Sequence, residues 1–513
     1  MRAKKEQGYV SMGGNSRFDR FLHLVERVGN RLPDPFILFF YLTILLVIAT
    51  FFLSIYGDAV KHPTTGDPVA VKTLVSTEGI RYILSDMITN FTSFAPLGLV
   101  IVVMLGIGLS EKVGLLEVAM KQAILATPGR IITFAVFFIG ILANVASDAA
   151  FVVVPPLAAL AFLAVGRHPL AGLASGLAAT GIGFSANIII AGTDVLLSGI
   201  ATEVAKGFNP DAHVSPVDNW FFMSVSTFVL ATLGTIITEK YVEPRLGKYT
   251  GDHKDDMAHV ITALEKKGLR NACIAMAIYV IALLIALFIP NSPLLNDDGT
   301  FLRSPFLTGI VPLLFGLFLV AGITYGVTIQ KIQSTKDVPK LMAEAVKDLS
   351  GYIVLVFMIA QFVAFFNWTN LSTWLAVHFS NILEFLNLTN IFAIILFVLL
   401  VACLSLFIIS GSALWALVAP IFIPTFMALG YNPAFIQLAY RIGESSTNMV
   451  TPLNPYFAII LSFLHVYDKK AGIGTLMSLM IPYTVAFLIV WTLLLVIFAL
   501  FNIPIGPGIY MKM

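Results

Sequence analysis

One arginine stands where a membrane-buried segment should be. Arg441 lies in AFIQLAYRIGESSTNMVTP (434–452), a stretch that otherwise reads as buried helix. A cation at bilayer depth costs a few kcal/mol on insertion scales and more when unpaired, so it needs a partner. The planar guanidinium suits bidentate pairing with a substrate carboxylate. The alternative partner is Glu444, three residues on and a neighbour if the helical turn is intact. Both hold if Glu444 releases Arg441 when an anion arrives. Asp194, in AGTDVLLSGI seven residues past Asn187, reads either as a proton carrier or cation ligand, or as a helix-capping carboxylate. Asp148 has the same two readings. Ser412 and Trp415 lie one turn apart; the serine can bind a substrate oxygen and the indole can stack on an aromatic ring. The alternative for Trp415 is membership of an interfacial aromatic belt.

These residues cluster at four unusual places. An apolar double segment at about 131–165 carries the polar tip Asn144-Val145-Ala146-Ser147-Asp148, followed by Pro155 and Pro156. A second, at about 388–428, carries Ser410-Gly411-Ser412, followed by Pro420 and Pro424. Each precedes a long apolar helix with an interrupted middle, at about 171–205 and 435–465. The first interruption is expected at Gly181–Asn187. The second is expected at Gly443-Glu444-Ser445-Ser446-Thr447-Asn448, with Pro452 and Pro455 close behind. Backbone N–H and C=O groups cannot stay unpaired in hydrocarbon, so broken backbone survives only where protein, water or ligand satisfies it. Freed N–H groups attract anions and freed carbonyls attract cations. Paired interruptions in two halves therefore point to a midplane transport site, with ordinary kinks as the alternative. Asn187, Asp194, Ser412, Trp415, Arg441, Glu444 and Asn448 are the substrate-binding candidates. Ser147, Asp148, Asp194, Ser410, Thr447 and Glu444 are the ion-coupling candidates.

The chain around these places is 58% hydrophobic and 12% charged, about half the charged fraction of a soluble protein. Apolar runs near twenty residues recur, each long enough to cross roughly 30 Å of hydrocarbon. The fold expected is an all-α integral membrane protein with nine transmembrane helices and two re-entrant hairpins in an inverted repeat. The divisions are a cytoplasmic tail (1–34), a first repeat (35–238), a cytoplasmic loop (239–270), a second repeat (271–503) and a short tail (504–513). With the N-terminus cytoplasmic, 24 of the 31 Lys and Arg fall inside and 6 outside, Arg441 lying within the membrane. That bias obeys the positive-inside rule only if each hairpin returns to the side it came from. The first 34 residues are polar, and the apolar stretch that starts at Pro35 lacks a small-residue cleavage site at its end, so it reads as a retained first span with a cytoplasmic tail in a bacterial inner membrane.

Other chemistries find little support. The two cysteines, Cys273 and Cys403, sit in apolar runs and read as fillers. His253, Asp255, Asp256 and His259 read as a solvated loop rather than a metal site. No structural metal and no cofactor is implied, although Na+ is a possible coupling ion beside H+. No nucleophile–base array, HExxH motif or phosphate loop is present. The chain reads as no enzyme; an intramembrane enzyme is the rival from another class. Its surroundings are the lipid bilayer, with no nucleic-acid partner.

Several long strings resemble the p-aminobenzoyl-glutamate transporter family of AbgT type. They are RVGNRLPDPFILFFYL, FAPLG at 94–98, SDAAFVVVPPLAALAFLAVGRHPLAG at 147–172, TDVLLSGI, FNWTN at 366–370, SGSALWALVAPIFIP at 410–424 and PIGPGIY. The resemblance implies a homodimer of protomers with nine spans and two hairpins, driven by an ion gradient. It implies import of p-aminobenzoyl-glutamate, a folate catabolite, or alternatively proton-driven export of sulfonamide antimetabolites. It matches functional positions to Asp194, Ser412, Trp415, Pro433, Arg441 and Pro452. The family pattern has Asp where this chain has Glu444, whose longer side chain keeps the charge and shifts it by about one methylene.

Overall fold

The computed structural model describes residues 33–62, 66–146, 149–249, 261–386, 388–451, 453–469 and 471–513. The expected site residues Ser147, Asp148 and Pro452 lie outside these, as do His253, Asp255, Asp256 and His259.

The described chain is helical apart from one small hairpin, Val60–Lys61 against Pro68–Val69, in the polar segment after the first span. That flap is fastened to the turn at 369–370 and the helix that follows it: Lys72 N–H donates to Thr369 O at 2.9 Å and Trp374 Nε1 to Asp58 O at 3.1 Å. Nine helical segments among the described residues are long and apolar enough to cross a membrane. They include one arm of each expected hairpin, Gly129–Ala146 and Gly411–Ala428, whereas the pieces of the two interrupted helices are each too short. Pro35–Tyr56 and Ala263–Phe288 are the least buried of the nine, as suits helices facing lipid.

Nine helices frame the site. In the first half, α1 is Ile132–Leu142, α2 Ala149–Ala164, α3 Pro169–Gly181, α4 Gly192–Lys206 and α5 Trp220–Ile237. In the second half, α6 is Ile391–Ser405, α7 Gly411–Ala428, α8 Pro433–Thr447 and α9 Phe457–Tyr467. Helices α1 and α2 are joined by a tight 3-10 turn at Ala143–Ala146, and α6 and α7 by the non-helical 406–410. In both halves the first piece of the interrupted helix packs on both members of the preceding pair: α3 on α1 and α2, and α8 on α6 and α7. Small residues permit the close approach. A Cβ on Gly176 would lie 2.7 Å from Pro155 Cα, and one on Gly443 would lie 2.4 Å from Val398 O.

The interruptions are real; the first lies where the sequence pattern placed it and runs on further, whereas the second sits later. The first spans 182–191, four residues beyond Asn187. The second takes in the described residues 448–451 and 453–456, so Gly443 to Thr447 are helical, contrary to expectation. Glycine and hydroxyl residues weaken a helix without ending it; Thr447 Oγ1 lies 3.0 Å from Gly443 O. The helix ends only at Asn448, ahead of the two prolines. Two further departures are smaller. The apolar stretch after the flap is two helices, Thr77–Thr92 and Ala95–Lys112, broken just before Pro96. An unforeseen helix, Leu371–Phe385, follows Asn370, which adopts a positive φ of 60°.

Candidate functional site

Arg441 sits on α8, all of whose residues from Pro433 to Thr447 are buried. Its side chain is 1% exposed. Nη2 donates to Asp194 Oδ1 at 2.5 Å and to Ser185 O at 2.9 Å. The ion pair is therefore with Asp194, not with Glu444, which corrects one alternative drawn from the sequence. The pair crosses between the halves: Asp194 is in the first turn of α4, Ser185 in the first break, and Arg441 on the second half's α8. Nε and Nη1 of Arg441 have no hydrogen-bond partner among the described residues. A buried guanidinium with two unsatisfied nitrogens is costly to hold.

Asp194 makes two contacts, and the capping expected of it is one of them. Oδ2 accepts the Ala191 N–H at 2.7 Å, closing the end of α4, while Oδ1 takes Arg441. The first break is held from several sides. Asn187 Oδ1 accepts the Ile189 N–H at 3.0 Å, and Trp220 Nε1 donates to Ile188 O at 2.7 Å. Two carbonyls of the break, Ser185 O and Ile188 O, and one N–H, that of Ile189, are thereby satisfied, in line with what backbone at membrane depth requires.

The two breaks touch. A Cβ on Gly181, the last residue of α3, would fall 2.1 Å from Met449 Cγ in the second break. Only the missing side chain lets that methionine lie against the backbone. The second break is also tied to the link between α6 and α7, because Thr451 Oγ1 donates to Leu406 O at 2.7 Å. Thr447 Oγ1 bonds Ala402 O at 3.0 Å and meets the Ser405 hydroxyl.

Glu444 points to the other side of the same neighbourhood. Its Oε2 accepts the Ser445 hydroxyl at 3.0 Å and its Oε1 the Asn448 amide at 3.4 Å. A Cβ on Gly411 would come within 3.0 Å of Oε1, so glycine makes room for the carboxylate at the start of α7. There Ser410 caps the helix, accepting the Ala413 N–H at 3.3 Å, and its hydroxyl lies 3.2 Å from that of Ser412.

Trp415 is fully buried, with its ring 4.5 Å from that of Tyr440. Its Nε1 donates to Leu197 O on α4 at 3.0 Å, and the Tyr440 hydroxyl donates to Gly411 O at 2.5 Å. The indole thus joins α7 to α4 in this conformation. Pro433 stands at the first position of α8, where its fixed φ and missing N–H cost nothing. Two turns and more separate it from Arg441. Among the described residues no group of three or more His, Cys, Asp or Glu comes together to hold a metal.

Sequence reasoning did not single out Tyr440, Gln437, Ser185, Trp220 or Met449. Tyr440 adjoins Arg441 and Gln437 precedes it by one turn, so the helical period could have flagged Gln437. Nothing local marks Trp220 or Met449, whose roles arise from long-range contact.

The comparisons with known proteins agree with this geometry. The family model described as "AbgT putative transporter family" matches residues 20–513. The chain belongs to the AbgT transporter family. The p-aminobenzoyl-glutamate transport protein of Escherichia coli K12 is 44% identical over 505 residues, covering 98% of this chain and 99% of that one. Two solved structures superpose closely. The YdaH transporter of Alcanivorax borkumensis has a TM-score of 0.89 at 37% identity, covering 93% of this chain and 100% of its own. Neisseria gonorrhoeae MtrF, reported as illuminating a class of antimetabolite efflux pumps, has a TM-score of 0.90 at 42% identity, covering 96% and 100%. This AbgT-family chain is therefore a multi-pass membrane protein, and its relatives are transporters.

Proposed function

We propose that the chain is an ion-gradient-driven secondary transporter of small aromatic carboxylates, with p-aminobenzoyl-glutamate as the leading substrate. One observation carries the reading: a buried arginine bridges the two broken helices and keeps two nitrogens unpartnered. An incoming carboxylate satisfies those nitrogens and competes with Asp194 for the guanidinium. Such an exchange loosens the contact between α4 and α8, which is the contact a moving repeat must break. The 44% identity to the Escherichia coli protein supports the substrate class.

In this reading α1–α2 and α6–α7 are re-entrant hairpins of an inverted repeat, with the N-terminus in the cytoplasm of the inner membrane. The similar packing of α3 and α8 on the pairs before them supports the repeat, and the Lys and Arg bias supports the orientation. The working unit is a homodimer, as the family resemblance implies. Coupling uses H+ or Na+, with Asp194 and Glu444 as the carboxylates able to carry it.

A second reading, proton-driven export of sulfonamide antimetabolites, draws on the similarity to MtrF. Uptake of labelled p-aminobenzoyl-glutamate into vesicles, with sodium and pH gradients imposed separately and in each direction, separates the two. Transport indifferent to both gradients would sink the coupling. A wild type that moves sulfonamides but never p-aminobenzoyl-glutamate would favour the second reading.

A further inference from the structure

Gln437 lies one turn before Arg441 on α8, so the two side chains leave the same face with Cβ atoms about 5–6 Å apart. It is 2% exposed. Its Nε2 donates to Asn219 Oδ1 at 3.2 Å, and Asn219 Nδ2 in turn donates to Ala434 O at 2.9 Å. The amide is thus held in a fixed orientation by the residue that precedes α5. Its Oε1, however, has no partner among the described residues. The next residue, Trp220, grips Ile188 O in the first break, while Arg441 grips Ser185 O and Asp194. Arg441 thus contacts the segment 185–194 directly, whereas Gln437 is tied to Asn219, the residue before the Trp220 that contacts it.

Three side chains here, each more than nine-tenths buried, keep unsatisfied polar atoms. Arg441 Nε and Nη1 and Asn187 Nδ2 are donors, whereas Gln437 Oε1 is an acceptor. A simple carboxylate answers only the donors. Leaving a buried acceptor unpaired costs as much as leaving a donor unpaired. A ligand that satisfies the whole set carries an anionic oxygen and, a few bonds from it, an N–H.

We infer that Gln437 is a specificity-determining residue of the transport site, accepting the amide N–H of an N-acyl amino acid whose carboxylate is bound by Arg441. The inference rests on the transport reading above and deepens it by naming the substrate class. The site selects an amide N–H beside a carboxylate, not merely an aromatic acid. The aromatic group at the far end of the ligand is free to vary.

The test compares equilibrium binding of p-aminobenzoyl-glutamate and its amide N-methyl derivative to the purified full-length protein. Methylation removes the N–H and keeps both carboxylates and the ring. Wild type should bind the N-methyl compound about tenfold more weakly or worse. Gln437→Leu should lose most of that preference, binding the two compounds within about threefold of each other. Gln437→Met, close in volume and lacking the acceptor, serves if the leucine variant does not fold. Equal binding of both compounds by wild type overturns the inference. So does an undiminished preference in the folded variants, because discrimination then comes from the bulk of the methyl group. Failure of wild type to bind p-aminobenzoyl-glutamate at all is a different result: it removes the transport reading, and this inference with it.

Discussion

Replacing Asp194 by Asn should tighten the binding of carboxylate substrates, while replacing Arg441 by Ala should abolish it. The opposite signs follow from the geometry. Asp194 Oδ1 holds Arg441 Nη2 at 2.5 Å, with side-chain exposures of 9% and 1%. A hydrogen bond to a charged group contributes about 1.5–3 kcal/mol, against about 0.5–1.5 for a neutral one. An anionic substrate must displace that bond, so its apparent affinity is lowered by the same amount. Asparagine keeps the shape and a neutral acceptor but gives up the charge. The competitor is weakened by about 1–1.5 kcal/mol, or roughly tenfold in Kd. Arg441→Ala removes the cation itself and leaves Asp194 buried and uncompensated, at a stability cost of about 3–5 kcal/mol. The assay is equilibrium binding of p-aminobenzoyl-glutamate to protein in detergent, with a thermal unfolding midpoint for each variant to establish folding. If folded Asp194→Asn loses binding as completely as Arg441→Ala, Asp194 touches the substrate directly and the exchange reasoning fails. Even with tighter binding, transport by Asp194→Asn should slow, because the release step has lost its driving competitor.

Four other outcomes are expected. Trp415→Phe should lower the unfolding midpoint by the worth of one buried hydrogen bond to Leu197 O, about 1 kcal/mol; an unchanged midpoint would place the indole elsewhere. Gly181→Ala should impair transport and stability, because its Cβ would fall 2.1 Å from Met449 Cγ, and Met449→Ala should restore much of both. Additive losses in the double variant would mean that the two breaks do not meet. Gly411→Ala, whose Cβ would lie 3.0 Å from Glu444 Oε1, should perturb the coupling ion's concentration dependence more than substrate binding. Asp218, in the loop before α5, has its carboxyl pushed up by burial to about 7 from 3.8. The folded state therefore holds a proton that the unfolded chain releases. Stability should fall as pH rises from about 4 to about 7 and level off above, with a slope of up to about 1.4 kcal/mol per pH unit; Asp218→Asn should flatten that slope.

The class of the protein was plain from composition, because hydrocarbon accepts only long apolar helices and the runs are there to be counted. Glycine, proline and hydroxyl residues in two matching places marked where helices break: the first break falls where the pattern placed it, and the second several residues later. Gly443 to Thr447 stay helical, because glycine and hydroxyl residues weaken a helix without ending it. Arg441 announced itself, since an intramembrane cation must have a partner. Its partner was not legible. Glu444 was three residues away and Asp194 was 247, and nothing in a one-dimensional pattern ranks the distant carboxylate first. The same holds for Met449 on Gly181, for Trp220 on Ile188 and for Gln437 beside Arg441. Local sequence determines backbone conformation because its causes act within a turn or two. Which buried charges and carbonyls meet is decided by how the two halves pack, and that depends on the whole chain at once.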